Sequence, residues 1–172
     1  MDYERPVVYI AVGSNIEPEH NLQAAVDLLR TRCEILTISP VFQSPAFGYE
    51  DQPDFLDVVI KLTTAREPAA FKTEVLDWIE QRLDRNRNSQ ISKYGPLTVD
   101  IDILLWDTDT FSFGEKPWHV PDKSILKFGA VAIPLAHLAG DLQHPTEGMT
   151  LKEIASRFNS KDIHLRTDLN IE

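Results

Sequence analysis

The chain has 172 residues, 42% of them apolar and 26% charged, a composition that suits one folded unit and excludes wholesale disorder. Its formal charge of −10 and pI near 4.9 exclude nonspecific nucleic-acid binding, which needs a basic surface. No apolar run reaches the roughly 18 residues of a membrane helix, no basic-then-apolar leader opens the chain, and the single cysteine, Cys33, has no internal partner, so a cytoplasmic protein is expected.

In chain order, Val7 to Val12 is a β-branched run ending at the turn formers Gly13-Ser14-Asn15, and so predicts a strand entering a loop. Leu22, Ala25, Val26 and Leu29 then recur at helical spacing. Cys33 to Phe42 reads as a second strand, stopped by Ser44-Pro45. The stretch from Ser44 to Pro53 has no periodicity and reads as a loop, in which Phe47 and Tyr49 are either surface aromatics or the lining of a pocket for a flat ring. Phe55 to Thr63 returns to strand, with Phe55, Asp57, Val59 and Lys61 on one face. Asp57 there belongs either to a wet polar face or to a carboxylate aimed at a ring's amine donors.

Pro68 opens a predicted helix running to about Leu83, with Phe71, Val75, Trp78, Ile79 and Leu83 as its buried stripe. The polar stretch after it carries Arg85 and Arg87, which are either solvated or able to clamp phosphates as bidentate donors. Next, Val99, Ile101, Ile103 and Leu105 alternate with Asp100 and Asp102. A period of two puts both acids on one face of a strand, roughly 6–7 Å apart. Such a pair suits a hard cation that keeps waters and shares phosphate oxygens, although an edge strand with a wet face alternates in the same way. Phe111 to Phe113 predicts a short edge strand. Trp118 to Lys127 is proline-broken and carries His119, Asp122, Lys123 and Lys127. Helices are predicted around Ile133 to Leu138 and over Leu151 to Phe158. Strand-helix-strand occurs twice, the order of a ferredoxin-like α+β fold, an antiparallel sheet with helices packed on its faces. One domain over residues 1–160 and a loosely held tail over 161–172 are expected.

Taken together, Gly13-Ser14-Asn15, Ser44-Pro45-Ala46-Phe47-Gly48, the run Asp51 to Asp57, Glu80, the Arg85/Arg87 pair, and Gly95-Pro96 ahead of Asp100-Ile101-Asp102 give a pattern. It resembles the hydroxymethyl-dihydropterin pyrophosphokinases of folate biosynthesis, which move a pyrophosphoryl group from ATP to a pterin alcohol and release AMP. The resemblance implies that Asp100 and Asp102 hold two Mg2+ ions, and that Arg85 and Arg87 belong to a catalytic lid. It places a pterin among Ser44, Pro45, Phe47, Phe55, Asp57 and Tyr94, and the nucleotide among Glu80, Arg87, Ile103, Lys123 and Lys127. The implied partners are these small molecules, with no nucleic acid and no membrane.

Four departures accompany the match. The family pattern has an arginine at Leu97, a histidine at Asp122, commonly an arginine at Phe128, and usually an asparagine at Asp57. A working enzyme with a rearranged phosphate clamp and a diverged paralogue that binds a heterocycle without transferring anything both remain open. Lys93, Lys123 and Lys127 turned inward around the two aspartates, beside Arg85 and Arg87, would favour the first, and Leu97 and Phe128 packed into an apolar wall there would favour the second.

Overall fold

The computed structural model describes residues 4–47, 51–85 and 97–172. Strand β1 (Val7–Ser14) is the axis of its main sheet. It pairs antiparallel with β4 (Phe55–Thr63) on one side and with β5 (Asp100–Trp106) on the other. The outer edge of β4 is shared by β2 (Glu34–Ile38) at one end and β3 (Phe42–Ser44) at the other. The sequence expectation of one strand over Cys33 to Phe42 therefore splits in two. At the break Ser39 exchanges bonds with Val59, its N–H reaching the Val59 carbonyl at 2.8 Å and its hydroxyl accepting the Val59 N–H at 2.9 Å, and the next residue, Pro40, has no N–H to continue the ladder.

Helix α1 (Pro18–Arg30) joins β1 to β2, and the second crossover runs as α2 (Pro68–Phe71), a π-helical turn (Lys72–Asp77) and α3 (Trp78–Arg82). These helices bury Leu22, Val26, Leu29, Phe71, Leu76 and Ile79 against Val8, Ile10, Val12, Val58, Ile60, Ile101 and Ile103. The result is the ferredoxin-like α+β architecture, with strand order β5-β1-β4-β2 in its central four.

The opposite face carries a second layer. Tyr9, Val59, Leu104 and Leu105 pack on Ile125 of α4 (Ser124–Lys127), on Ala132 and Leu135 of α5 (Gly129–Ala139), and on Leu151 and Ile154 of α6 (Leu151–Ala155). Leu105 was expected to share the face of Ile101 and Ile103. A bulge opposite Tyr9/Ile10 inserts one residue, so Leu104 and Leu105 both reach the second layer. A separate hairpin pairs β6 (Phe111–Phe113) with β7 (Trp118–Val120).

The C-terminal residues are not a loose tail. Strand β8 (His164–Leu165) pairs with β3, Leu169 and Ile171 pack on the main core, and the Glu172 carbonyl accepts from Gln23 and Arg30, each at 2.6 Å. The sequence hid this because a two-residue strand and two isolated apolar side chains carry no periodic signal.

Candidate active site

Gly13, Asp57 and Asp100 lie at one level of three adjacent strands, Gly13 being the register partner of both acids. Antiparallel partners point to the same face, so the two carboxylates flank a residue that has no side chain. A Cβ at Gly13 would stand 2.9 Å from Asp57 Oδ1 and 3.7 Å from a Phe55 ring carbon. The space that a side chain would fill is thus taken by the Asp57 carboxylate. Gly13→Ala is expected to rotate that carboxylate away from the Ser44 hydroxyl that bonds it and to cost about 1 kcal/mol of stability or more, measured by urea denaturation.

Beside this triplet the second layer of helices leaves a cleft of about 540 Å³. Ser44, Pro45, Phe47, Phe55 and Asp57 line it, joined by Arg85 and Asp100. The structure therefore brings together five of the six residues expected around a ring with two expected at the phosphate end. Lys93, Tyr94, and Arg87 from the expected lid, lie outside the described residues. Phe47 meets Phe128 edge to face at 5.4 Å, so aromatic rings border the cleft from loops as well as from strand β4.

Asp57 carries the most altered electrostatics of the cleft. The Ser44 hydroxyl donates to its Oδ2 at 2.6 Å. Burial pushes the carboxyl up to about 7, the Ser44 bond opposes the rise, and the Asp100 charge adds to it. Near neutrality this group exists in both forms, and the protonated form donates a hydrogen bond that a carboxylate cannot. The departure from asparagine thereby loses less donor capacity than the sequence suggested.

At the other end, Arg85 Nη1 lies 2.6 Å from both Glu80 Oε1 and Asp100 Oδ1. Glu80 is buried and also accepts the Ile101 N–H at 3.2 Å. Burial alone would lower Arg85, but Asp100 and Glu80 outweigh it and hold the guanidinium protonated more firmly than usual. In this arrangement Glu80 orients Arg85. Arg85→Ala would leave a buried carboxylate without this partner, and a stability loss of about 3 kcal/mol is expected, measured by urea denaturation at pH 7.

Asp102 faces the same side as Asp100. Burial holds it well above the ordinary carboxylate range, Asp100 and Asp122 add like charge, Lys72 opposes them, and Glu80 adds further. Asp122 follows a cis peptide between Val120 and Pro121, and its Oδ1 accepts the Ser124 N–H at 2.8 Å.

The expected nucleotide residues are scattered. Ile103 lies in a hollow of about 10 Å³ with Lys72, Phe113, Trp118 and Val120. Lys123 lines a different hollow, Lys127 is exposed on α4, and neither borders the main cleft. Leu97 and Phe128 do line that cleft and form an apolar wall.

Six residues were given no site role by the sequence reading. Asn15, buried, donates to Gln52 Oε1 at 2.8 Å and the Pro53 carbonyl at 3.0 Å, and accepts the Leu97 N–H at 2.8 Å, tying together two loops that flank the cleft. Lys72 is buried, with its ammonium 2.5 Å from Asp77 and 4.8 Å over the Trp118 ring. Its place three and four residues before Val75 and Leu76 was the available signal, since that is the buried face of the helix. Phe158, Asn159, Asp162 and Ile163 complete the cleft, and nothing in their sequence announced it.

Comparison with known proteins bears on this geometry. The family profile described as 7,8-dihydro-6-hydroxymethylpterin-pyrophosphokinase matches residues 9–140. The chain belongs to this family. The 2-amino-4-hydroxy-6-hydroxymethyldihydropteridine pyrophosphokinase of Pseudomonas aeruginosa is 34% identical over 156 residues, covering 86% of this chain and 88% of that protein. The Bacillus subtilis enzyme of the same name is 31% identical over 140 residues, covering 80% of each. The folic acid synthesis protein fol1 of Schizosaccharomyces pombe is 29% identical over 162 residues, and this pyrophosphokinase-family chain spans 21% of its length.

Among solved structures, a triple mutant of Plasmodium falciparum HPPK-DHPS with pteroate superposes with a TM-score of 0.73 at 10% identity. The match covers 95% of this chain and 47% of that one, so the chain spans about half of the longer protein and shares the fold of that part. Among the described residues of this family member, no helix is long and apolar enough to cross a membrane.

Proposed function

We propose that this chain transfers pyrophosphate from ATP to 6-hydroxymethyl-7,8-dihydropterin, giving AMP and the pterin diphosphate. The observation that carries the reading is the level shared by Asp57, Gly13 and Asp100, which sets a ring-holding carboxyl and a phosphate-end carboxylate in one cleft. In the reaction the pterin hydroxymethyl oxygen bonds to the β-phosphorus of ATP. The bond from that phosphorus to the oxygen bridging to the α-phosphate breaks, AMP leaves with its electron pair, and the hydroxyl proton passes to solvent.

The residues of this chain contribute mainly alignment. Phe55, Phe47 and Phe128 supply flat apolar surface for the bicyclic ring. Asp57 and Ser44 take its polar edge, and Gly13 lets the Asp57 carboxyl sit low in the sheet. Arg85, oriented by Glu80, brings positive charge to the end where phosphates would lie.

Asp100 and Asp102 fit Mg2+. Both are hard oxygen donors on one face, and although burial is the main reason that Asp102 is raised, Asp100 and Asp122 add like charge that a bound cation would offset. Among the described residues, no group of three or more His, Cys, Asp or Glu side chains could hold a metal unaided. When bound, Mg2+ would neutralise the ATP phosphates and polarise the transferred group.

The apolar wall of Leu97 and Phe128 favours a second reading, in which the chain binds the heterocycle as a regulatory or assembly module and transfers nothing. AMP release from Mg-ATP with and without hydroxymethyl-dihydropterin separates the two. Pterin-dependent AMP is expected. Folded protein that binds the pterin yet releases no AMP would overturn the transfer reading and leave the second.

A further inference from the structure

The C-terminal segment does more than cover an edge. Strand β3 has three residues and ends at Pro45, which has no N–H to prolong a ladder. It nevertheless holds the Ser44 hydroxyl against Asp57. Its other edge is occupied by β8, with Phe42 opposite Leu165 and Gln43 opposite His164, and the Arg166 N–H reaches the Val41 carbonyl at 2.8 Å.

Beyond the backbone runs a chain of side-chain bonds. Asp168 fixes the Arg166 guanidinium with two bonds of 2.9 and 2.7 Å. The fork thus oriented donates from Nη1 to Gln43 Oε1 at 2.8 Å, and Gln43 Nε2 donates in turn to Asp54 Oδ2 at 2.8 Å. Gln43 directly precedes Ser44, and Asp54 directly precedes Phe55, the register partner of Ser44. One line of bonds therefore ties together the residues next to two lining side chains of the cleft.

We propose that Arg166 is a positioning residue of the heterocycle site, setting the register of Ser44 and Phe55 through Gln43 and Asp54 without touching substrate. The inference rests on the cleft being the pterin site. A guanidinium is suited to this because Asp168 takes one side of its fork while Nη1 also reaches Gln43. An ammonium in its place could keep one of these contacts but not the planar arrangement.

The test measures dissociation constants for 6-hydroxymethylpterin, by its fluorescence, and for Mg-ATP, by calorimetry, in the full chain and in Arg166→Ala, Arg166→Lys, Gln43→Ala and the Arg166→Ala/Gln43→Ala pair. Pterin binding is expected to weaken about tenfold in each alanine variant and by no more than that in the pair, because both act through one line of bonds. Arg166→Lys should recover part of the loss, and Mg-ATP binding should stay within about twofold throughout, since a positioning effect is confined to one end of the cleft. Unchanged pterin binding in both alanine variants, additive losses in the pair, or equal weakening of both ligands would overturn the role of Arg166. Failure of the unaltered chain to bind the pterin would overturn the functional reading itself, and the inference with it.

Discussion

Asp100→Asn combined with Asp102→Asn is expected to lower pterin-dependent AMP formation on the order of a thousandfold or more, since in the proposed reaction the change removes the hard ligands that would hold the phosphate-neutralising cation. The fold should survive. Asp102 is held above the usual carboxylate range by burial first and by Asp100 and Asp122 after it, so its ionised form is disfavoured in the folded chain. Asp102→Asn alone should therefore raise the urea midpoint of the metal-free protein at pH 8. Loss of AMP formation in a double variant that itself keeps a cooperative urea transition separates a failed reaction from a failed fold. Turnover within about tenfold of the unaltered chain would exclude the pair from the phosphate site.

The second large effect concerns pH. Asp57 titrates near 7 in the folded chain against an ordinary value of 3.8. Because the folded protein binds this proton more tightly than the unfolded chain does, the contribution is fully present below about pH 4 and is lost as pH rises through 7. Over that window the loss is on the order of 4 kcal/mol, before allowance for the part of the side chain that water reaches. Asp57→Asn keeps an acceptor for the Ser44 hydroxyl and removes the titration. The variant is expected to match the unaltered chain near pH 4 and to be the more stable by several kcal/mol at pH 8, read from urea midpoints across the range. A stability difference that does not change with pH would show that Asp57 ionises freely in the folded protein.

The Asp57 titration also bears on substrate binding. If the protonated Asp57 carboxyl donates to the ring, pterin affinity should fall between pH 6 and 8, and Asp57→Asn should flatten that dependence. The sign follows from the raised value, since the donor form disappears as pH rises through about 7.

Several features of the molecule were legible in the residues alone. The alternation from Val99 to Ile103 placed Asp100 and Asp102 on one face, and the structure has them there because a strand leaves its side chains no other choice. Local patterns of the same kind gave β1, α1, β4 and the second crossover helix, whose apolar periods match the faces that they bury. The motifs from Gly13-Ser14-Asn15 to Asp100-Ile101-Asp102 further pointed to the family, since short runs at suitable spacing survive in the chain even where single positions change.

What the sequence could not determine was which of these residues would share a cleft, and with what charge. Gly13, Asp57 and Asp100 are far apart in the chain, and only the register of three strands sets them side by side. The proton held by Asp57 depends on burial and on the distance to Ser44, neither of which is a local property. Lys123 and Lys127 looked like replacements for missing cations, yet neither lines the cleft, while Leu97 and Phe128 form part of its wall. The C-terminal residues show the same limit. Their two-residue strand, and the bonds from Arg166 through Gln43 to Asp54, exist only because β3 offers an open edge about 120 residues earlier in the chain. Periodicity in a sequence reports which face of an element is apolar, whereas the meeting of elements distant in the chain is decided by packing, and in this protein the cleft is built from such meetings.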